Sequence, residues 1–136
     1  MSTSEKIIRI EEEGTLGFGD YTLQKKETLD GFAYQGDLLK VKTSYEATRL
    51  EKNGLFLYES VPGTAVKNFR ETEEGITFSV EGEKDLQITL GLAEQSMYQV
   101  MVDSEKIGDM ETNLSGKLSF SVELTDGKAQ VEVKKV

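Results

Sequence analysis

In the second half of the chain, apolar and polar residues alternate with a period of two. Ile76, Phe78 and Val80 alternate with Thr77, Ser79 and Glu81, and Leu86, Ile88, Leu90 and Leu92 alternate with Gln87, Thr89 and Gly91. This is the pattern of half-buried strands in antiparallel sheets. Over 97–103, Tyr98, Val100 and Val102 form the inward set. Aromatic and β-branched residues suit a pleated, packed surface, so Met97, Gln99 and Met101 are left on the outer face. Leu118, Phe120, Val122 and Leu124 alternate with Lys117, Ser119, Ser121 and Glu123. After Thr125-Asp126-Gly127 the alternation resumes at Ala129, Val131 and Val133. The pattern predicts a hairpin of 117–124 with 128–134.

The first half is less regular. Strands are expected near 6–11, 15–18, 21–27, 32–35, 38–43, 46–52 and 55–60. Asp30-Gly31, Asn53-Gly54, Glu74-Gly75 and Asp126-Gly127 read as tight turns, because such pairs supply the positive φ that hairpins need. Over 44–52 a helix competes with the strand: Thr43-x-x-Glu46 fits a capping box and Gly54 fits a C-terminal cap. Leu55-Phe56-Leu57-Tyr58 is apolar on both strand faces, which predicts cover on both sides, from the rest of the chain or from a second copy. Val61-Pro62-Gly63 is a turn and the candidate boundary between halves. Phe-Ser-Val-Glu recurs after Gly75 and Gly116, and reads as two amphipathic strands entered from glycine turns. The expected fold is all-β and antiparallel, with an N-terminal β meander over 1–60 and an Ig-like β-sandwich over 61–136. A single compact sandwich or barrel is the alternative.

The 136 residues contain no cysteine, no histidine and no tryptophan, with a net charge of −9. Disulfides, Cys-ligated zinc, iron–sulfur clusters and thiol catalysis are excluded, as is any triad that needs histidine. Carboxylate, lysine and tyrosine chemistry remain. Residues 1–60 carry 8 basic and 11 acidic groups, and 61–136 carry 8 and 14. No basic patch is set apart for nucleic-acid phosphates, so no nucleic-acid partner is expected. The sequence shows no apolar stretch of signal-peptide or membrane-spanning length, and the expectation is a cytoplasmic protein without a membrane partner.

Four motifs bear on chemistry. Gly17-Phe18-Gly19-Asp20 lacks the third glycine and the helix of a dinucleotide loop, and reads as a strand with a bulge or a close backbone approach. Glu11-Glu12-Glu13 and the group Asp103, Glu105, Asp109 and Glu111 raise calcium, but without the converging loop spacing that calcium uses. Tyr21, Tyr34, Tyr45 and Tyr58 fall at intervals of 13, 11 and 13. They read either as a platform for sugar stacking or as one aromatic per strand packed on a sheet face. Met97, Gln99 and Met101 form a candidate interface, because methionine serves adaptable contact surfaces.

Leu55-Phe-Leu-Tyr-Glu-Ser-Val-Pro-Gly-Thr-Ala-Val and Thr112-Asn-Leu-Ser-Gly-Lys-Leu-Ser-Phe-Ser-Val-Glu-Leu resemble a family of small, uncharacterised proteins of anaerobic Gram-positive bacteria. The resemblance runs nearly end to end. Some members carry the label "endosialidase", which implies a sialic-acid polymer as substrate. No catalytic residue is carried over from that resemblance, and Arg9, Arg49 and Arg70 read by pattern as ordinary strand residues. The second half also loosely resembles fibronectin-like sandwich modules. The functional expectation is a non-catalytic binding or assembly module without cofactor or metal, whose partner is itself, as a homo-oligomer, or another protein. A carbohydrate-active or carbohydrate-binding protein is the alternative, followed by a calcium-binding module.

Overall fold

The computed structural model describes residues 7–136. The described residues form thirteen strands: β1 (Ile8–Ile10), β2 (Leu16–Phe18), β3 (Glu27–Tyr34), β4 (Asp37–Thr43), β5 (Thr48–Lys52), β6 (Leu55–Val61), β7 (Ala65–Thr72), β8 (Gly75–Glu81), β9 (Leu86–Gly91), β10 (Met97–Val102), β11 (Glu105–Glu111), β12 (Lys117–Val122) and β13 (Lys128–Lys135). They build an all-β antiparallel sandwich. A seven-stranded sheet runs β1-β2-β7-β8-β13-β10-β11, and a six-stranded sheet runs β12-β9-β6-β5-β4-β3. The strands β3, β4, β5 and β6 form an up-and-down meander. Both sheets draw on 1–60 and on 61–136: β2 pairs with β7 in one, and β6 with β9 in the other.

Most of the inward sets read from the alternation are buried: Ile76, Phe78, Val80, Leu86, Ile88, Leu90, Tyr98, Val100, Leu118, Phe120, Val122, Ala129, Val131 and Val133. Leu92, Val102 and Leu124, at or just past strand ends, are only partly buried against them. Tyr58 of β6 stands between the sheets and meets Phe18, Phe69 and Phe78 of the facing sheet edge-on, at ring-centroid distances of 5.1, 6.3 and 5.6 Å. Edge-to-face packing matches the positive rim of one ring to the negative face of the next.

Several connections differ from the sequence expectation. β12 and β13 are not a hairpin. β12 pairs with β9 in one sheet and β13 with β8 and β10 in the other, so 123–127 is an arch across the sandwich. Alternation marks which residues face inward, and a hairpin and an arch give the same alternation. Asp30-Gly31 is a bulge inside the continuous strand β3, with Gly31 at a φ of 76°; the turn comes at Gln35-Gly36. Asn53-Gly54 does join β5 to β6. Residues 21–26 are loop; the helix that competes over 44–52 does not form, and the strand expected over 46–52 begins at Thr48 as β5, after a short connection over 44–47. β6 is not covered on both faces. A bulge opposite Leu50/Glu51 turns Leu57 and Tyr58 inward together. Phe56 stays outside, under the Arg49 guanidinium at 5.1 Å and the Lys117 ammonium at 4.8 Å from its ring centroid. Cations over an aromatic face replace the apolar cover that the pattern predicts.

Candidate functional site

One end of the sandwich is closed by loops that carry Tyr21, Tyr45 and Pro62. Asp20 caps the first loop, its carboxylate accepting from the Thr22 amide at 2.9 Å and from the Thr22 hydroxyl at 2.5 Å. Ser44 caps the second, its hydroxyl accepting from the Glu46 amide at 3.2 Å. Such side-chain-to-backbone bonds fix short turns without a sheet ladder. The loops are then laced together. The Tyr45 amide donates to the Leu23 carbonyl and the Gly63 amide donates to the Tyr45 carbonyl, each at 2.9 Å. Gly63 is required by this close approach, because a Cβ there would drive into the Ser44 carbonyl.

Beneath these loops lies a chain of buried hydroxyls. The Thr43 and Thr48 hydroxyls meet at 2.8 Å. Thr48 accepts the Thr64 amide at 3.0 Å and donates to the Thr64 carbonyl at 3.1 Å. The Thr64 hydroxyl in turn meets Tyr58 at 2.9 Å and Ser60 at 2.8 Å. Thr43, Thr48, Ser60, Thr64 and Tyr58 are all fully buried. Burial pushes the Tyr58 hydroxyl up to about 12, offset in part by its bonds with Thr64 and Ser60. It is therefore a neutral, structural hydroxyl at ordinary pH. A fully satisfied buried network rigidifies what it touches.

Above the network is a hollow of about 320 Å³. Tyr21 and Tyr45 line it with Pro62 and Gly63, and Glu46, Glu83 and Lys84 supply its charge. Tyr45 is 48% exposed, so nearly half of its surface is open to solvent at the hollow. The arrangement offers aromatic faces beside acceptors and one cation, on loops that are held in place from below.

Of the four tyrosines singled out in the sequence, the structure brings Tyr21 and Tyr45 together. Tyr58 is in the core, and Tyr34 is at the other end, donating to the Gly14 carbonyl at 2.7 Å. Met97, Gln99 and Met101 lie on the outer face of β10, away from the hollow, with Met97 43% exposed. Charged residues flank them: Glu111 opposite Met97, Asp109 and Lys134 opposite Gln99, and Lys106 and Glu132 opposite Met101. Among the described residues no group of three or more acidic side chains is placed to hold a metal ion. Asp109 instead pairs with Lys106, and Asp103 accepts the Gln130 amide. Gly19 does sit at a close backbone approach, against the Thr64 carbonyl. Among the described residues no helix is long and apolar enough to cross a membrane.

The hydroxyl network carried a signal in the sequence. Thr43 continues the inward series Leu39, Val41; Thr48 precedes the inward Leu50; Ser60 follows the inward Tyr58. Hydroxyls at inward positions must find partners. The fold and this site define an antiparallel β-sandwich with a loop-borne tyrosine hollow at one end. Comparison with protein-family models, with curated proteins and with solved structures returns no significant match.

Proposed function

We propose that this chain is a non-catalytic binding module whose ligand seats against Tyr21 and Tyr45. The observation that supports this is the buried hydroxyl network, which holds the two tyrosine-bearing loops in a fixed relation before any ligand arrives. Preorganised aromatic contacts spare a ligand the cost of ordering the site. A carbohydrate is the ligand class this chemistry favours. A pyranose ring has a C–H face that stacks on tyrosine, and its hydroxyls donate to carboxylates such as Glu46 and Glu83. An oligosaccharide array probed with wild type and with Tyr45→Ala tests the reading. Binding of wild type that Tyr45→Ala abolishes, with an unchanged thermal melt, is the expected result. Failure of every glycan to bind overturns the carbohydrate assignment. The non-catalytic part is tested by incubation with polysialic acid. No shortened product is expected, and cleavage that a single Asp, Glu or Tyr substitution removes would overturn it.

A further inference from the structure

At the end of the sandwich opposite the tyrosine hollow, the two sheets part over a cleft of about 310 Å³. Its floor is apolar: Leu16 and Phe69 come from the seven-stranded sheet, Leu39 and Leu57 from the six-stranded sheet, and all four are buried. Two polar clasps join the sheets beside it. The Tyr34 hydroxyl on β3 donates to the Gly14 carbonyl between β1 and β2 at 2.7 Å. The Lys52 ammonium on β5 meets the Glu71 carboxylate on β7 at 2.6 Å. These clasps fix the width of the opening and neutralise one pair of charges.

What remains on the rim is a separated pair of signs. Arg70 lines the cleft and has no ion pair among the described residues, yet its charge acts on the Tyr34 hydroxyl, drawing down a value that burial raises. Asp37 and Glu13 line the same cleft. Asp37 gives one carboxylate oxygen to the Asn53 side-chain amide at 2.8 Å, and its other oxygen has no hydrogen-bond partner among the described residues. An apolar floor with a few convergent polar groups is the general form of a small-molecule site, and about 300 Å³ is the lower end of the usual range.

We propose that this cleft binds a free α-amino acid with an apolar side chain. The side chain rests on Leu16, Leu39, Leu57 and Phe69, the carboxylate meets Arg70, and the ammonium meets Asp37. The planar guanidinium matches a carboxylate with two parallel bonds. A ligand carrying both charges complements both signs on the rim, whereas a simple acid would face Asp37 and Glu13, and a simple amine would face Arg70. The volume admits one amino acid and excludes a long chain.

Titration calorimetry on the full chain with L-phenylalanine, 3-phenylpropionate and 2-phenylethylamine tests this, supported by amide NMR shifts at Leu39, Leu57 and Arg70. L-Phenylalanine is expected to bind and to shift those amides. Either probe lacking one charge should bind about tenfold more weakly or worse, as each loses a charge-assisted bond. Arg70→Gln and Asp37→Asn should each weaken L-phenylalanine by a similar factor without altering the thermal melt. Tyr45→Ala should leave this binding unchanged, which separates it from the function proposed for the hollow. Equal binding of 3-phenylpropionate, equal binding of 2-phenylethylamine, or no binding of L-phenylalanine overturns the proposal.

Discussion

Replacing Thr48 with valine removes one hydroxyl and nearly preserves the shape of the side chain. The carbonyl of Thr64 can only accept, so the Thr48 proton goes to it. The Thr64 amide donates to the Thr48 oxygen, and the Thr43 hydroxyl supplies the third bond. In Thr48→Val the Thr43 proton can turn to the Asp20 carbonyl, which lies 3.4 Å away. The two backbone groups of Thr64 have no such escape, since Thr64 is fully buried. Each buried polar group left unpaired costs about 1–3 kcal/mol, which gives about 2–6 kcal/mol for the pair. The added methyl returns about 0.8 kcal/mol at most. The net loss is a large share of the roughly 5–15 kcal/mol that holds a domain of this kind together. Thr89→Val is the control. Its hydroxyl also meets another hydroxyl, that of Ser119, at 2.8 Å, but on the solvent side, where water replaces the lost partner. Surface changes of this sort stay within about 0.5 kcal/mol. Urea unfolding followed by far-UV circular dichroism reads both. Thr48→Val should lower the midpoint sharply at an unchanged slope, and Thr89→Val should not. Equal midpoints for the two variants would refute the claim that the network is sealed from water.

Phe120→Ala should destabilise by about 3–5 kcal/mol in the same assay through lost burial and a cavity, while Ser119→Ala, one residue away on the exposed face, should be near neutral. Stability should also fall at high pH because Tyr58 titrates near 12 in the fold, against 10.0 when unperturbed. Its contribution is whole below pH 10 and is lost as the pH rises towards 12, about 2–3 kcal/mol in all; Tyr58→Phe should flatten that part of the pH profile, and an unaltered profile would show the hydroxyl is not buried. Met97→Glu/Met101→Glu should fold, because the two side chains point away from the core. A wild-type sedimentation mass above one chain that drops in this variant would identify the face as a contact between copies, and a wild type that stays monomeric at tens of micromolar would exclude it.

Which residues face inward was legible in the sequence, because the period of a strand is fixed by the backbone and a one-residue slip would expose the whole apolar set. Which strands lie side by side was less so. Leu118–Val122 and Ala129–Val133 carry the same alternation whether they share a sheet or face each other across it, and the structure has them facing. Asp30-Gly31 has turn chemistry but is absorbed as a bulge, since Phe32 and Tyr34 continue the pairing with β4 beyond it. At β6, a bulge and two cations account for Phe56, Leu57 and Tyr58, and Leu55 is left 72% exposed, where the pattern could explain the four apolar residues only by a second covering layer. The tyrosine site was half legible. Residue type pointed to Tyr21, Tyr34, Tyr45 and Tyr58 alike, and the meeting of Tyr21 with Tyr45 depends on loop hydrogen bonds to Leu23 and Gly63, which leave no mark in hydropathy.

The place of β13 sets an order of assembly. It is the latest strand in the sequence, yet it lies inside the seven-stranded sheet, between β8 and β10. The β10–β11 hairpin joins that sheet through β13. On a growing chain, β8 and β10 therefore wait with unpaired edges until Lys128–Lys135 has been made. Exposed edges of this kind template pairing with other chains, and contacts between distant parts of a sequence form slowly. A nascent chain halted before Lys128 would present two open edges at once, and would be a substrate for chaperones or for aggregation in a way that the finished sheet is not.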